Sequence, residues 1–417
     1  MTSQITGLAR TGRRVRLAYL VSHPIQYQAP LLSRIAQEPD IDLTVFFGSD
    51  FSVRGYQDAG FGGVGVKWDV PLLDGYKHIF LPRLRDGNDV GFAMPINRGI
   101  ARRLRGNAGE SAFDALWVHG YATINALHGM IAAKTLGIPV LLRAESWLRD
   151  RGRSGAKLAA KTMFFGALQR MVDAVLPIGT LNAEYWHHYF GDSVPQFLMP
   201  YAVDNSYFSL RAQQARAGRA SLQAELGLDS TRPVILFASK LQPRKHCDQL
   251  IEAYARLSPG PGVEPHPYLL IVGDGEERTA LERQAAATGF SSIHFCGFRN
   301  QSELPRFFDL CTVFVLPSRH EPWGLIVNEV MNAARPVIIT DDVGSAPDLV
   351  RTGVNGYIYP AGDIGALEQA LRNVLATPEI AEEMGRRAFE RIQSWSFAED
   401  IQGLRRALAS VIPGFEA

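Results

Sequence analysis

The chain is poor in cysteine: Cys247, Cys296 and Cys311 are the only three in 417 residues. They form no CxxC pair and no metal-ligand spacing, which argues against a disulfide framework or a zinc ribbon. An odd, sparse set points to a reducing compartment and inert thiols. No run of about 18 apolar residues occurs, so no segment reads as crossing a membrane. An excess of either charge is also missing: 43 Lys and Arg face 42 Asp and Glu, a net charge of +1. No nucleic-acid partner is expected. The balance is uneven, however, with 22 Lys and Arg against 16 Asp and Glu in residues 1–200, and 21 against 26 thereafter. A modestly basic first half either leans toward an anionic membrane surface or acidic acceptor, or is ordinary variation. The start, MTSQITGLARTGRRVRLAYLVS, is basic and then apolar. Its apolar part is only about seven residues and lacks a small-residue cleavage site, so it is expected to be a tail entering a first strand.

What is present suits a globular protein: 46% hydrophobic and 20% charged residues. The length allows two α/β domains of about 200 residues each. Strand-like runs at 15–21, 43–47, 115–118, 140–143 and 174–178 alternate with helix-like segments at 28–36, 124–135 and 158–172. The second half repeats the alternation. Its strands are at 234–238, 268–272, 293–296, 313–316 and 337–340, and its helices at 247–255, 276–287, 325–333, 364–376 and 380–394. Such alternation predicts parallel sheets with crossover helices. The polar stretch 209–230, closed by Arg232-Pro233, reads as the region between domains, with the boundary near 203–208. Residues 51–98 have few clear elements and many Gly, Asp and Pro, which marks a functional loop region or a missed assignment. SPGPGVEPHP, 258–267, is read as a surface loop.

The most informative stretch is PSRHEPWGLIVNEVMNAARPVIITDDVGSAPDLVRTGVNGYIYPAGD, 317–363. It sets Glu321 and Glu329 eight positions apart, just over two turns if helical, so the two carboxylates can address two parts of one extended ligand. Backbone N–H groups around Gly324 and Leu325 would open that helix and attract phosphate. The combination reads as a sugar-nucleotide site: sugar near Glu321, diphosphate at the helix start, ribose near Glu329. Two isolated surface charges are the bland alternative. In FASKLQPRKHCDQLIEAY, 237–254, Lys240 and Lys245 flank a strand-to-helix turn. Two cations there can embrace a diphosphate, with Arg244 a rival for the second contact. A solvated basic turn is the alternative.

Two other motifs fall short. LLIVGDGEERTALE, 269–282, reads G-x-G-x-x-R, and Arg278 is too large for the third position of a dinucleotide fingerprint. It is expected to be a βα turn, with Gly273 and Gly275 letting the backbone bend. His320-Glu321 lacks the second His that a zinc helix needs, because position 324 is Gly.

In the first half, His119 ends a strand in DALWVHGYATINALHGMIAAKTLGIPVLLRAES, 114–146, and would face the cleft of a doubly wound fold. A packed core histidine is the alternative. Glu145 ends the next strand and faces the cleft or is structural. In the first loop, SHPIQYQAP, residues His23, Gln26, Tyr27 and Gln28 offer hydrogen bonds and stacking suited to an acceptor sugar, or form a structural loop. Lys157, Lys161 and Arg170 beside Met163, Phe164 and Phe165, and the run Arg98, Arg102, Arg103 and Arg105, suggest either peripheral membrane docking or an ordinary amphipathic helix.

The series P-S-x-x-E-x-x-G-L, R-P-V-I and G-V-N-G-Y-I-Y-P-A-G-D resembles the retaining glycosyltransferases of the GT-B fold, family-4 type (glycosyl transferases group 1). Their signature is two Glu separated by seven residues. The resemblance is close over 230–363 and loose before it. Trp323 stands for the usual Phe, Ala334 for a Gly, Gly344-Ser345 for Gly-Gly, and Ser239 and His246 for the two glycines of the Arg/Lys motif. The Gly-rich first loop is absent.

The resemblance implies an α/β protein with two Rossmann-like doubly wound domains facing a cleft. These would be residues 1–204 on the acceptor side and 205–394 on the donor side, with a last helix within 395–417 crossing back. It implies transfer from a UDP-, GDP- or ADP-linked sugar to a saccharide or lipid-linked acceptor in cell-surface polysaccharide or glycoconjugate synthesis. That transfer would need no metal and would take place in the cytoplasm or on the inner face of its membrane. His119, Lys240, Lys245 and Glu321 would be catalytic. Arg244, Gly273, Gly297, Phe298, Gly324, Leu325 and Glu329 would hold the donor, with Gly297 and Phe298 at the base. His23, Gln26, Tyr27 and Glu145 are acceptor-side candidates. A non-catalytic nucleotide-sugar-binding protein, a phosphorylase and an epimerase remain alternatives.

Overall fold

The computed structural model describes residues 14–85, 90–106, 111–148, 155–257 and 266–417. Its apolar runs form two parallel six-stranded sheets. Val234–Ala238 and Tyr268–Val272 are buried at every position, which is why they read as unbroken apolar runs. The first sheet runs in the order Ala174–Val175, Val140–Arg143, Ala115–His119, Val15–Val21, Ile41–Phe47, Lys77–Phe80. The second runs Ile293–Gly297, Tyr268–Val272, Val234–Ala238, Val313–Leu316, Val337–Thr340, Gly356–Tyr359.

Each sheet reverses its winding at its first strand. Val15–Val21 lies between Ile41–Phe47 and Ala115–His119. Val234–Ala238 lies between Tyr268–Val272 and Val313–Leu316. Where the winding reverses, the connections leave in opposite directions and a crevice opens beyond the carboxyl ends of the strands. The topology therefore creates two crevices, one beside Ser22 and His119 and one beside Ser239 and Leu316.

Several elements differ from the sequence expectation. The stretch 209–230, read as the region between domains, is largely helical. Helices Asn205–Ala215 and Arg219–Glu225 bury Phe208, Ala212 and Leu222 in the core of the second sheet. Their polar composition reflects the exposed side of an amphipathic pair. The run at 174–178 pairs as a strand only over Ala174–Val175. The strands Lys77–Phe80 and Gly356–Tyr359 escaped notice because both are short edge strands, the first half-exposed and the second opened by Gly356. The helix expected at 325–333 is six residues, Ile326–Met331, and Glu321 lies before it in a bridge to Val343. The separation of the two glutamates therefore arises from a turn, not from two turns of helix. Segments 1–13 and 258–265 lie outside the described residues.

The last helix, Phe397–Val411, starts on a capping box of Ser396 and Glu399. It buries Ile401, Leu404, Ala407 and Leu408 against the first sheet. Arg143 on strand Val140–Arg143 meets Asp400 on this helix at 3.3 Å, both side chains 1% exposed. Burial pushes the Asp400 carboxyl up to about 6, with Arg143 opposing the rise. Among the described residues, no helix is long and apolar enough to cross a membrane.

Candidate active site

A cavity of about 300 Å³ lies at the crevice of the second sheet. Lys240 enters it from the end of Val234–Ala238, followed by Arg244 and Lys245 from the next turn. Glu321, Gly324, Leu325 and Glu329 enter from the segment after Val313–Leu316. Gly273 and Phe298 complete the wall. Gly297 does not line the cavity; its carbonyl accepts a hydrogen bond of 2.8 Å from the Gly273 N–H.

Charge is closely matched here. Glu321 accepts hydrogen bonds from Lys245 and, at 3.3 Å, from Arg244. Burial pushes the Lys245 ammonium below the ordinary lysine range, against the pull of Glu321. Lys240 donates to both carboxylate oxygens of Asp58, at 3.1 and 2.9 Å. Burial raises the Glu329 carboxyl to about 8. A helix of six residues has a small dipole, so the positive charge of this cavity comes chiefly from its cationic side chains, Lys240, Arg244 and Lys245 among them.

Backbone geometry accounts for two of the departures from the pattern of the resemblance. His246 and Ala334, which stand for glycines, keep left-handed backbone at φ 48° and 55°. The turn and helix end that glycine would form are therefore retained by ordinary residues at some conformational cost. Gly273 and Gly275 serve close packing: a Cβ at either would come within 1.9 and 2.3 Å of the Ser239 and Leu241 carbonyl oxygens.

A second cavity, about 370 Å³, opens at the crevice of the first sheet. His119 and Glu145 line it with Ser22, Tyr121 and Ser146. His119 Nε2 lies 3.5 Å from Glu145, and the Gln28 amide nitrogen lies 3.2 Å from the same ring nitrogen. Burial alone would raise the Glu145 carboxyl, but hydrogen bonds from His119, Tyr201 and Tyr27 outweigh it and hold it below the ordinary range. His23 lines neither of these two cavities; it hydrogen-bonds Ser22 at 2.9 Å and packs on Phe51. Burial, with the neighbouring His119 charge, lowers the His23 imidazole to about 4. Gln26 and Tyr27 line the first cavity rather than the second, an arrangement that no reading of the loop by itself could reveal. Tyr27 bonds Glu145 at 3.2 Å and so joins the two cavities.

Phe61 and Trp68 also line the first cavity, from the region 51–98. Sequence reasoning flagged that region without picking out these residues; an aromatic pair in a Gly-rich stretch was the available signal. Tyr121 and Ser146 were missed too, because nothing local marks them. Lys161 packs over the Tyr185 and Tyr189 rings, Phe165 is buried, and Met163 is exposed. The Lys157 side chain lies outside the described residues. No cluster of three His, Cys, Asp or Glu that could hold a metal occurs among the described residues.

Two doubly wound units with their crevices facing across one cleft define the GT-B architecture. The glycosyltransferase of Rickettsia africae superposes with a TM-score of 0.73 at 13% identity, covering 96% of this chain and 99% of that one. Anabaena Alr3699/HepE in complex with UDP and glucose does so with a TM-score of 0.69 at 18% identity, over 95% and 100%. Residues 218–391 match the family model of the glycosyl transferases group 1. Alpha-D-kanosaminyltransferase of Streptomyces kanamyceticus is 31% identical over 174 residues, 41% of this chain and 44% of that protein. D-inositol 3-phosphate glycosyltransferase of Streptomyces griseus is 26% identical over 304 residues, 67% of this chain and 64% of its own length. The chain thus spans less than two thirds of these curated relatives.

Proposed function

We propose that the protein is a retaining glycosyltransferase that uses a nucleotide-sugar donor without a metal. One observation carries the reading: Lys240, Arg244, Lys245, Glu321 and Glu329 converge on a single cavity at the crevice of the second sheet. The three cations suit the diphosphate, Glu321 the sugar hydroxyls and Glu329 the ribose. The UDP and glucose in the Anabaena neighbour are consistent with a donor of this kind. Cations held in place before reaction stabilise charge developing on the leaving diphosphate, the role a metal plays elsewhere.

His119 and Glu145 line the acceptor side, where a hydroxyl would attack. Retention without a protein nucleophile is compatible with attack from the face that the diphosphate leaves. The acceptor is a saccharide or lipid-linked saccharide of a cell-surface glycan, handled at the cytoplasmic face of the membrane. The exposed Arg98, Arg102 and Arg105 and the exposed Met163 are compatible with peripheral contact there.

Calorimetric titration of UDP, GDP and ADP, each with chelator, tests the donor site. Binding of one nucleotide that survives chelator and weakens in Glu329→Ala is the expected result. Failure of all three to bind removes the donor assignment.

A further inference from the structure

The donor cavity carries a cover from the other half of the chain. Residues 56–58 and 64–66 pair as an antiparallel hairpin, with a tight turn at Ala59–Phe61. The Asp58 carboxylate shapes that turn by accepting the Gly60 N–H at 2.8 Å. The hairpin then reaches the second domain. Phe61 meets Phe298 edge-on, ring centroids 4.9 Å apart, and takes the Lys240 ammonium on its face at 4.7 Å. Beyond the hairpin, the Lys67 carbonyl accepts from the Asn300 amide at 2.7 Å, and Asp69 accepts from the Ser302 N–H at 3.3 Å.

In this arrangement each of the four cations lining the cavity is matched to a carboxylate, Arg299 pairing with Glu303 at 3.2 Å. Arg244 and Lys245 share Glu321, while Lys240 is held by Asp58. The two pairs differ in origin. Glu321 belongs to the same domain as its cations, whereas Asp58 comes from across the cleft and is only 13% exposed. A diphosphate reaching Lys240 would meet Asp58 as a like charge at close range, and like charges within a few ångströms oppose each other's ionised forms. Asp58 and a diphosphate therefore cannot both hold Lys240 favourably.

We propose that Asp58 is a built-in competitor for the donor diphosphate: it holds Lys240 in the empty cleft, and the diphosphate displaces it, freeing the hairpin. This deepens the donor-site reading and rests on it. Asp58 thereby lowers the affinity for the donor and for the released nucleoside diphosphate. The hairpin closes on an empty site and yields to a full one.

The test compares the wild type, Asp58→Asn and Asp69→Ala in low salt. The probes are UDP, GDP and ADP, together with the nucleoside matching whichever binds, the nucleoside followed by ligand-observed NMR. Asp58→Asn keeps the side-chain size and an acceptor for Gly60, and removes only the charge. Asp69→Ala loosens the cover at Ser302 without touching Lys240. The expected result is diphosphate binding tightened about threefold to tenfold in Asp58→Asn, shrinking with added salt, with nucleoside binding unchanged. Asp69→Ala should leave the ratio of diphosphate to nucleoside affinity unaltered. Unchanged or weaker diphosphate binding in Asp58→Asn overturns the proposal, the weaker case making Asp58 a positioning residue for Lys240. Equal gains for diphosphate and nucleoside, or the same gain in Asp69→Ala, overturn it in favour of simple steric cover. Binding of no nucleotide to any of the proteins overturns the donor-site reading and this one with it.

Discussion

Glu329 should release a proton when nucleotide binds. Burial raises its carboxyl to about 8 in the empty site. At pH 7 the group is then about 0.9 protonated. Ribose hydroxyls donating to the carboxylate favour its ionised form, so binding drives the proton off. The expected release is about 0.9 proton at pH 7 and about 0.1 at pH 9. Affinity should rise with pH across that interval, by up to about tenfold from this group. The assay is calorimetric titration at pH 7 in two buffers of different ionisation enthalpy, with Glu329→Gln as reference for protons lost by the nucleotide itself.

The same shift acts on stability in the empty protein. The folded carboxyl keeps its proton up to about 8, while the unfolded one loses it near 4.5. The folded state binds more protons between those values, so stability falls as pH rises through that window. Glu329→Gln should flatten that slope. Enthalpies identical in both buffers, together with a pH–stability curve unaltered by Glu329→Gln, would refute the reasoning.

Two further perturbations separate catalysis from folding. Lys245→Ala should lower kcat/KM for donor turnover, followed as nucleoside diphosphate release, by about 10- to 150-fold, equivalent to a lost charged contact of about 1.5–3 kcal/mol. Arg244 still lies 3.3 Å from Glu321, so the folded state should survive the change. Arg143→Met should instead act on stability, costing about 3–5 kcal/mol in urea unfolding because it strands the buried Asp400. Combining it with Asp400→Leu should recover most of that loss, since a buried pair is often replaceable by apolar residues of similar volume.

Much of the fold was legible because its signal is local. Continuous apolar runs such as 234–238 and 268–272 are strands buried on both faces, and their boundaries follow from composition alone. Shorter edge strands, Lys77–Phe80 and Gly356–Tyr359, carry too few residues to show a pattern. The polar helices 205–215 and 219–225 bury only Phe208, Ala212 and Leu222, so in one dimension they showed only as a polar stretch between domains.

The candidate site divides in the same way. The chain order fixed which residues end a strand or open a turn, and so brought forward Lys240, Lys245, Glu321, Glu329 and His119 as chemically suited groups. The gathering of the first four in one cavity, and of His119 in the other, depends on where the sheets reverse their winding, a property of strand order in space that no single segment encodes. Only the tertiary structure decided that Gln26 and Tyr27 face the cavity of the second sheet, that Gly297 does not, and that Asp58 reaches Lys240 across 182 positions of chain. Apolar periodicity and turn chemistry are short-range and survive in one dimension. Pairing across a cleft is set by the packing of two domains and exists only in three.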